Sequence, residues 1–171
     1  KTRKISSANI GIDQGCDIFF LADALRSQLP SLKIKPAYEI FREIRIIKTP
    51  DEIKRIRQAT EITEYALTGA IKAIGEGVSE REIAQVFNTE VVRHQGFPTL
   101  TWIGSGPRGV LPNAEPSDRR VELGDVIRFD VGCLIQAYHA DLARTAILGR
   151  PSEKIKKFHN ALVAGQGKIL D

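Results

Sequence analysis

Residues 127–149 read IRFDVGCLIQAYHADLARTAILG, and the fold turns on them. Ile127, Phe129 and Val131 alternate with Arg128 and Asp130, the two-residue period of a strand with one buried face. After a short connection, Leu142 alternates with Ala143, and Thr145 to Leu148 continue in residue types suited to strands. The two runs are expected to form a hairpin with one acid in each, Asp130 and Asp141. Centred between Ile135 and Gln136, the hairpin sets these carboxylates directly opposite each other on one face, with Cβ atoms roughly 5 Å apart. Like charges so placed are destabilising. Relief is expected from a shared proton, a basic neighbour such as Arg144, or a cation. Hard divalent cations favour carboxylate oxygen, which makes a metal centre one reading. The other reading is two solvated aspartates near hairpin ends.

Around this stretch lie 171 residues, 42% of them hydrophobic, enough for one good core or one and a half small ones. The net charge of +4 and pI near 9.2 are only mildly basic. Basic residues are interspersed with acids in EIFREIRIIKTPDEIKRIR (39–57), the pattern of solvated helix faces rather than of a nucleic-acid footprint, so no nucleic-acid partner is expected. Cys16 lies between Gly15 and Asp17, and Cys133 between Gly132 and Leu134. One bridge between them is conceivable, but a reduced, cytoplasmic protein is expected. No apolar run approaches the roughly 18 residues that span a bilayer, and no signal peptide is visible, so no membrane role is expected. A chain that starts at Lys1 and ends within an expected helix reads as a piece of something longer.

In chain order, 5–13 suggests a strand closed by the turn residues Asp13, Gln14 and Gly15. An amphipathic helix over 17–29 follows, stopped by Pro30, and a second strand over 32–35. This β-α-β segment has too little apolar content to fold well alone, and 38–48 is expected to serve as a connector. Thr49-Pro50-Asp51-Glu52 is a helix start with a capping box and proline at the first position. Behind it Ile53, Ile56, Ala59, Ile62, Ala66 and Ala70 keep one apolar face up to Gly75. A second capping box at Ser79 and Glu82 opens a helix lined by Ile83, Val86, Phe87 and Val91, with Val78 and Ile83 placed for a hydrophobic staple. A strand over 99–103 leads into Gly104-Ser105-Gly106-Pro107, which lacks the Lys-Ser/Thr ending and following helix of a phosphate loop and reads as a turn between strands. After the hairpin, Pro151-Ser152 opens a last helix with Ile155, Phe158 and Leu162 on one face. Helices followed by antiparallel strands make the class α+β.

The block GD-x4-D-x-G-x5-Y-x2-D-x2-RT is present as Gly124, Asp125, Asp130, Gly132, Tyr138, Asp141, Arg144 and Thr145. It resembles peptidase family M24, the pita-bread (creatinase/aminopeptidase) fold of prolidases, Xaa-Pro aminopeptidases and methionine aminopeptidases. RIIKTPDEIKRIRQATEIT (45–63) is similar to the first helix of that domain, and the resemblance covers essentially the whole chain. It implies about the first half of the pita-bread domain over 49–171, helices packed on an antiparallel sheet, preceded by the remnant of an N-terminal domain over 1–36 and a linker over 37–48. It further implies a dinuclear site of divalent manganese, cobalt, zinc or iron, with Asp141 bridging both ions and Asp130 holding one. Two such ions lower the pKa of a shared water and stabilise the oxyanion formed at a peptide carbonyl. The family's His and two Glu ligands belong to the second half of the domain. With two of five ligands, this chain by itself is expected to bind metal weakly, to hydrolyse negligibly, and to self-associate or need its missing half. A homodimer is the family's habit.

One departure bears on substrate. Where prolidase-like sequences carry a histidine in a PHYxP-like motif, this chain has Leu111-Pro112-Asn113-Ala114-Glu115-Pro116. Asn113 at that catalytic position can donate a hydrogen bond but cannot act as acid or base. His139 is read as structural or supporting, His94 as a surface residue at a helix end, and His159 as no substitute ligand. Arg108 and Glu115 are candidate substrate contacts, Trp102 a core or pocket-wall aromatic, and Cys133 a buried small side chain. The function expected is a metal-dependent hydrolase cleaving a peptide or amide bond near a proline or free N-terminus. A creatinase-like or lyase relative acting on a small non-peptide substrate, and an inactive peptide-binding module, are the alternatives.

Overall fold

Parallel pairing of two short strands opens the chain in the computed structural model, which describes residues 9–13 and 18–170. Strand β1 (Asn9–Ile12) pairs with β2 (Lys33–Pro36), and helix α1 (Ile18–Gln28) lies between them in sequence. A parallel pair needs such a crossover. Pro36 is the last paired residue rather than a stop before it. Residues 5–8 of the expected strand, the turn residues Gln14 and Gly15, Cys16, and Asp17 at the start of the expected helix lie outside the described residues. Residues 38–48, expected as a connector, contain helix α2 (Tyr38–Ile46). Arg42 pairs with Glu39 one turn away, and Arg45 with Asp13 at 2.7 Å. These contacts belong to a unit of residues 1–50, separate from that of residues 51–171.

The second unit holds helices α3 (Pro50–Lys72) and α4 (Glu80–Arg93), strands β3 (Phe97–Ser105), β4 (Val126–Ile135) and β5 (Tyr138–Ile147), and helix α5 (Glu153–Leu170). Proline stands at the first position of α3, where its missing N–H costs nothing. Helix α4 starts with the expected capping box: Glu82 N donates to Ser79 Oγ at 3.2 Å, and Ser79 N to Glu82 Oε2 at 2.8 Å. Between β3 and β4, Gly106–Val110 is a short 3-10 helix rather than a plain turn.

The sheet is antiparallel in the order β3-β4-β5. One face carries Ile103, Ile127, Phe129, Val131, Cys133 and Ile135, all buried, against Ala59, Ile62, Ala66 and Leu67 of α3 and Ile83, Phe87 and Val91 of α4. Phe87 and Phe129 are completely buried, each contributing about 2–3 kcal/mol by leaving water. Cys133 is a free thiol inside this layer, accepting from Thr63 Oγ1 at 3.3 Å, and burial pushes its pKa up. The α+β class follows directly. Among the described residues, no helix is long and apolar enough to cross a membrane.

Candidate metal centre

Strands β4 and β5 meet in a two-residue turn, Gln136 and Ala137, with φ of 47° and 71°. Two central residues at positive φ make the primed hairpin turn whose twist matches the flanking strands. This turn sits one residue beyond the expected centre, and the register moves with it. Asp141 pairs with Gly132, and Asp130 with Ala143. The carboxylates are therefore diagonal neighbours on one face, about 7 Å apart at Cα by strand geometry, not directly opposite. Gly132 presents no side chain on the face between them. A Cβ there would also run into the carbonyl oxygen of Ala140.

The face turned away from the helices is a small grid. Leu100, Gly132 and Asp141 form one row, Trp102, Asp130 and Ala143 the next, and Gly104, Arg128 and Thr145 the third. Asp130 is only 19% exposed. Burial raises its pKa; the Arg128 guanidinium pulls it down, and the negative Asp141 carboxylate adds to the rise. Relief of the carboxylate pair comes from Arg128, whose Nη2 lies 2.7 Å from Asp130 Oδ2. Arg144, the basic neighbour expected, is an odd number of residues from Asp141 and points the other way, reaching Glu64 at 3.7 Å.

Sequence reasoning passed over Arg128, although its place two residues before Asp130 puts it on the same face. It also passed over Glu80, the first residue of α4, which is completely buried. Glu80 accepts hydrogen bonds from the amides and hydroxyls of both Ser105 and Ser117, and from Arg108 Nε at 3.0 Å. It thereby anchors the loop between β3 and β4. The Arg108 side chain also donates to Glu115 O, and Trp102 Nε1 to Glu115 Oε1 at 3.2 Å. Trp102 is a wall of the carboxylate face, directly across from Asp130.

Asn113 is exposed in the turn after the 3-10 helix. Ala114 beside it is buried and accepts from Ile103 N at 3.0 Å, pinning the turn to β3. His139 is exposed on β5 opposite Leu134, on the Asp141 face. His94 ends α4, its Nδ1 2.9 Å from Glu90 O and its ring 4.5 Å from that of Tyr65. His159 lines a cleft of about 700 Å³ with Arg128 and Thr145. Among the described residues no third His, Cys, Asp or Glu joins Asp130 and Asp141 in a metal-sized group. Two hard oxygen donors on one face, one of them raised in pKa first by burial and further by its neighbour's charge, fit part of a divalent cation's coordination shell.

Residues 54–171 match the family model described as metallopeptidase family M24. The Xaa-Pro dipeptidase of Pyrococcus horikoshii is 34% identical over 167 residues, 95% of this chain and 47% of that protein. The crystal structure of a prolidase from the same organism superposes with a TM-score of 0.86 at 34% identity, over 94% of this chain and 46% of that one. An X-Pro aminopeptidase from Thermotoga maritima superposes with the same TM-score at 29% identity, over 93% and 45%. The chain spans about half the length of the relatives it matches, and its fold is about half of theirs, the pita-bread fold.

Proposed function

Because the chain belongs to metallopeptidase family M24, we propose that the whole protein is a metal-dependent hydrolase of the Xaa-Pro dipeptidase or aminopeptidase kind. It cleaves a peptide or amide bond next to a proline or a free N-terminus. The observation that carries this reading is the shared face of Asp130 and Asp141, held in the hairpin of the family's motif. Asp130 and Asp141 would hold two divalent cations, which supply a water of lowered pKa and positive charge for a developing oxyanion. Asp141 is the more exposed of the two, and the resemblance to the family implies that it would be the ligand shared between the ions. Trp102 walls the site across from Asp130. Asn113 offers a side-chain amide that donates to a substrate carbonyl without moving a proton.

The chain by itself supplies two ligands, so we expect it to bind metal weakly and to turn over little, with its remaining ligands and the cover for its sheet face coming from further chain. A homodimer and a cytoplasmic location belong to the same proposal. Turnover of Gly-Pro and Ala-Pro by the whole protein with manganese, beside the chain of residues 1–171, is the test. Cleavage by the whole protein that Asp141→Asn abolishes supports the reading. Absence of any peptidase activity in the loaded whole protein sinks it. Asn113 favours a second reading, in which the same centre acts on a small amide that needs no acid from this position.

A further inference from the structure

The Arg128 guanidinium is bonded from two sides. Its Nη2 donates to Asp130 Oδ2 at 2.7 Å, and its Nη1 donates to Leu111 O at 2.9 Å and also reaches Pro112 O. One rigid fork thus holds a candidate metal ligand and the turn that carries Asn113. The side chain is 32% exposed, so the contacts sit at the rim of the carboxylate face rather than free in water. A cation at Asp130 would share a carboxylate one of whose oxygens, Oδ2, the guanidinium already holds. Two positive groups on one carboxylate repel, and poor solvation strengthens the repulsion.

We propose that Arg128 is a built-in competitor for metal and a tether for the 111–113 turn, so that divalent cation binding at Asp130 displaces the guanidinium and frees the turn. Metal loading and the hold on the turn that carries Asn113 are then coupled through the Arg128 guanidinium, metal at Asp130 favouring the freed turn. The inference rests on the reading of Asp130 and Asp141 as metal ligands. Arg128 is a positioning residue here, acting through Asp130 and through the turn.

The chain carries its own reporter, since Trp102 is its single tryptophan and faces Asp130 across the strands. Mn²⁺ titrations followed by Trp102 quenching and by the electron-spin signal of free Mn²⁺ give affinity without any activity measurement. Amide exchange at residues 111–114 reports the turn. Arg128→Gln is expected to bind Mn²⁺ roughly fivefold more tightly, the scale of a partly exposed ion pair, with fast exchange in the turn that no longer responds to Mn²⁺. The wild-type turn is expected to exchange faster on adding Mn²⁺. Arg128→Lys keeps the charge but not the two-sided grip, so affinity stays near wild type while the turn exchanges fast; it carries the test should Arg128→Gln fold poorly, and a slow turn in it overturns the tether. Asp141→Asn is expected to weaken Mn²⁺ binding in every background. If Asp141→Asn weakens binding but Arg128→Gln does not tighten it, the competitor role fails and the ligand reading stands. If no variant of the whole protein binds Mn²⁺, or Asp141→Asn has no effect in it, the ligand reading fails and takes the inference with it.

Discussion

Arg119 grips Asp125 with both nitrogens of its fork, Nη1 lying 2.6 Å from Oδ2 and Nη2 3.2 Å from Oδ1. Arg119 Nη1 also donates to Ser105 Oγ at 2.8 Å, and Asp125 accepts from Glu122 N at 2.9 Å. The pair therefore fastens the end of β3 to the turn that enters β4. Gly106, at φ +51°, leaves the space: a Cβ there would meet Asp125 Oδ1 and the Arg119 guanidinium. Asp125 belongs to the family motif, and its work in this chain is to aim the strand that carries Asp130.

With the two side chains only 21% and 12% exposed, removing one partner leaves a poorly solvated charge. Asp125→Ala is expected to lower stability by about 2–3 kcal/mol. In a double-mutant cycle with Arg119→Ala, the joint loss should fall short of the sum by about 1–2 kcal/mol. Urea midpoints measured on the four chains decide it. Additive losses would mean that the pair is ornamental.

Acid should expose the same network. Burial tends to raise the Glu80 carboxyl, but hydrogen bonds from the hydroxyls and amides of Ser117 and Ser105 outweigh it and hold it below its ordinary 4.5. Burial raises Asp125 too, and Arg119 with the Glu122 amide outweighs it, holding it below 3.8. For both groups the unfolded chain takes up the proton first as pH falls. Their contribution is therefore complete above the unfolded values and drains as pH drops through the folded ones. Stability should fall steadily below about pH 4.5. In Glu80→Gln the fall should be shallower, starting from a neutral-pH stability already lower by about 2 kcal/mol. Chemical denaturation at pH 7, 5, 4 and 3 checks this, and parallel profiles for the two chains would remove Glu80 from the account.

The hairpin was legible because a strand's period is two: alternation in 127–131 placed Asp130 and Asp141 on one face and the apolar partners on the other. Its register was not legible. Gln136 and Ala137 adopt a turn usually marked by Asn-Gly or Asp-Gly, so nothing in their identity located the centre. Arg128 could have been found by the same period of two that excludes Arg144. Glu80 could not. An acid at the first position of a helix suits the dipole in solvent, and only the return of residues 105 and 117 over that helix end buries it. Residues 38–48 read as a connector because apolar and charged residues mix there, yet the one-turn pairing of Glu39 and Arg42 is a helical spacing.

Gly132 should tolerate no side chain. Opposite Asp141, a Cβ would collide with the Ala140 carbonyl, part of the backbone that pairs β5 to β4. Relief requires the strands to part. Gly132→Ala is expected to cost about 2–3 kcal/mol, the scale of overpacking a close-packed site, and to weaken Mn²⁺ binding because the two carboxylates no longer share a fixed diagonal. Thermal unfolding by circular dichroism gives the first quantity and Mn²⁺ titration the second. Unchanged melting would show that the hairpin has slack at this position.

Asn113 stands in an exposed turn, so Asn113→His should shift stability by less than about 0.5 kcal/mol. Its effect should be on chemistry. An imidazole at this place, beside the turn carbonyls that Arg128 holds, brings a proton donor to the edge of the carboxylate face. In the whole protein loaded with manganese, Asn113→His is expected to raise kcat for Gly-Pro at least tenfold, toward the lower range of general acid–base catalysis. The pH profile should also gain a limb near pH 6–7 that the asparagine enzyme lacks. A rise in kcat with that limb assigns proton transfer to the position and leaves asparagine as the reason for slow dipeptide cleavage. A variant with the same kcat and the same profile would mean that residue 113 does not reach the reacting bond, and that substrate choice must be sought in Trp102, Glu115 and the rest of the wall.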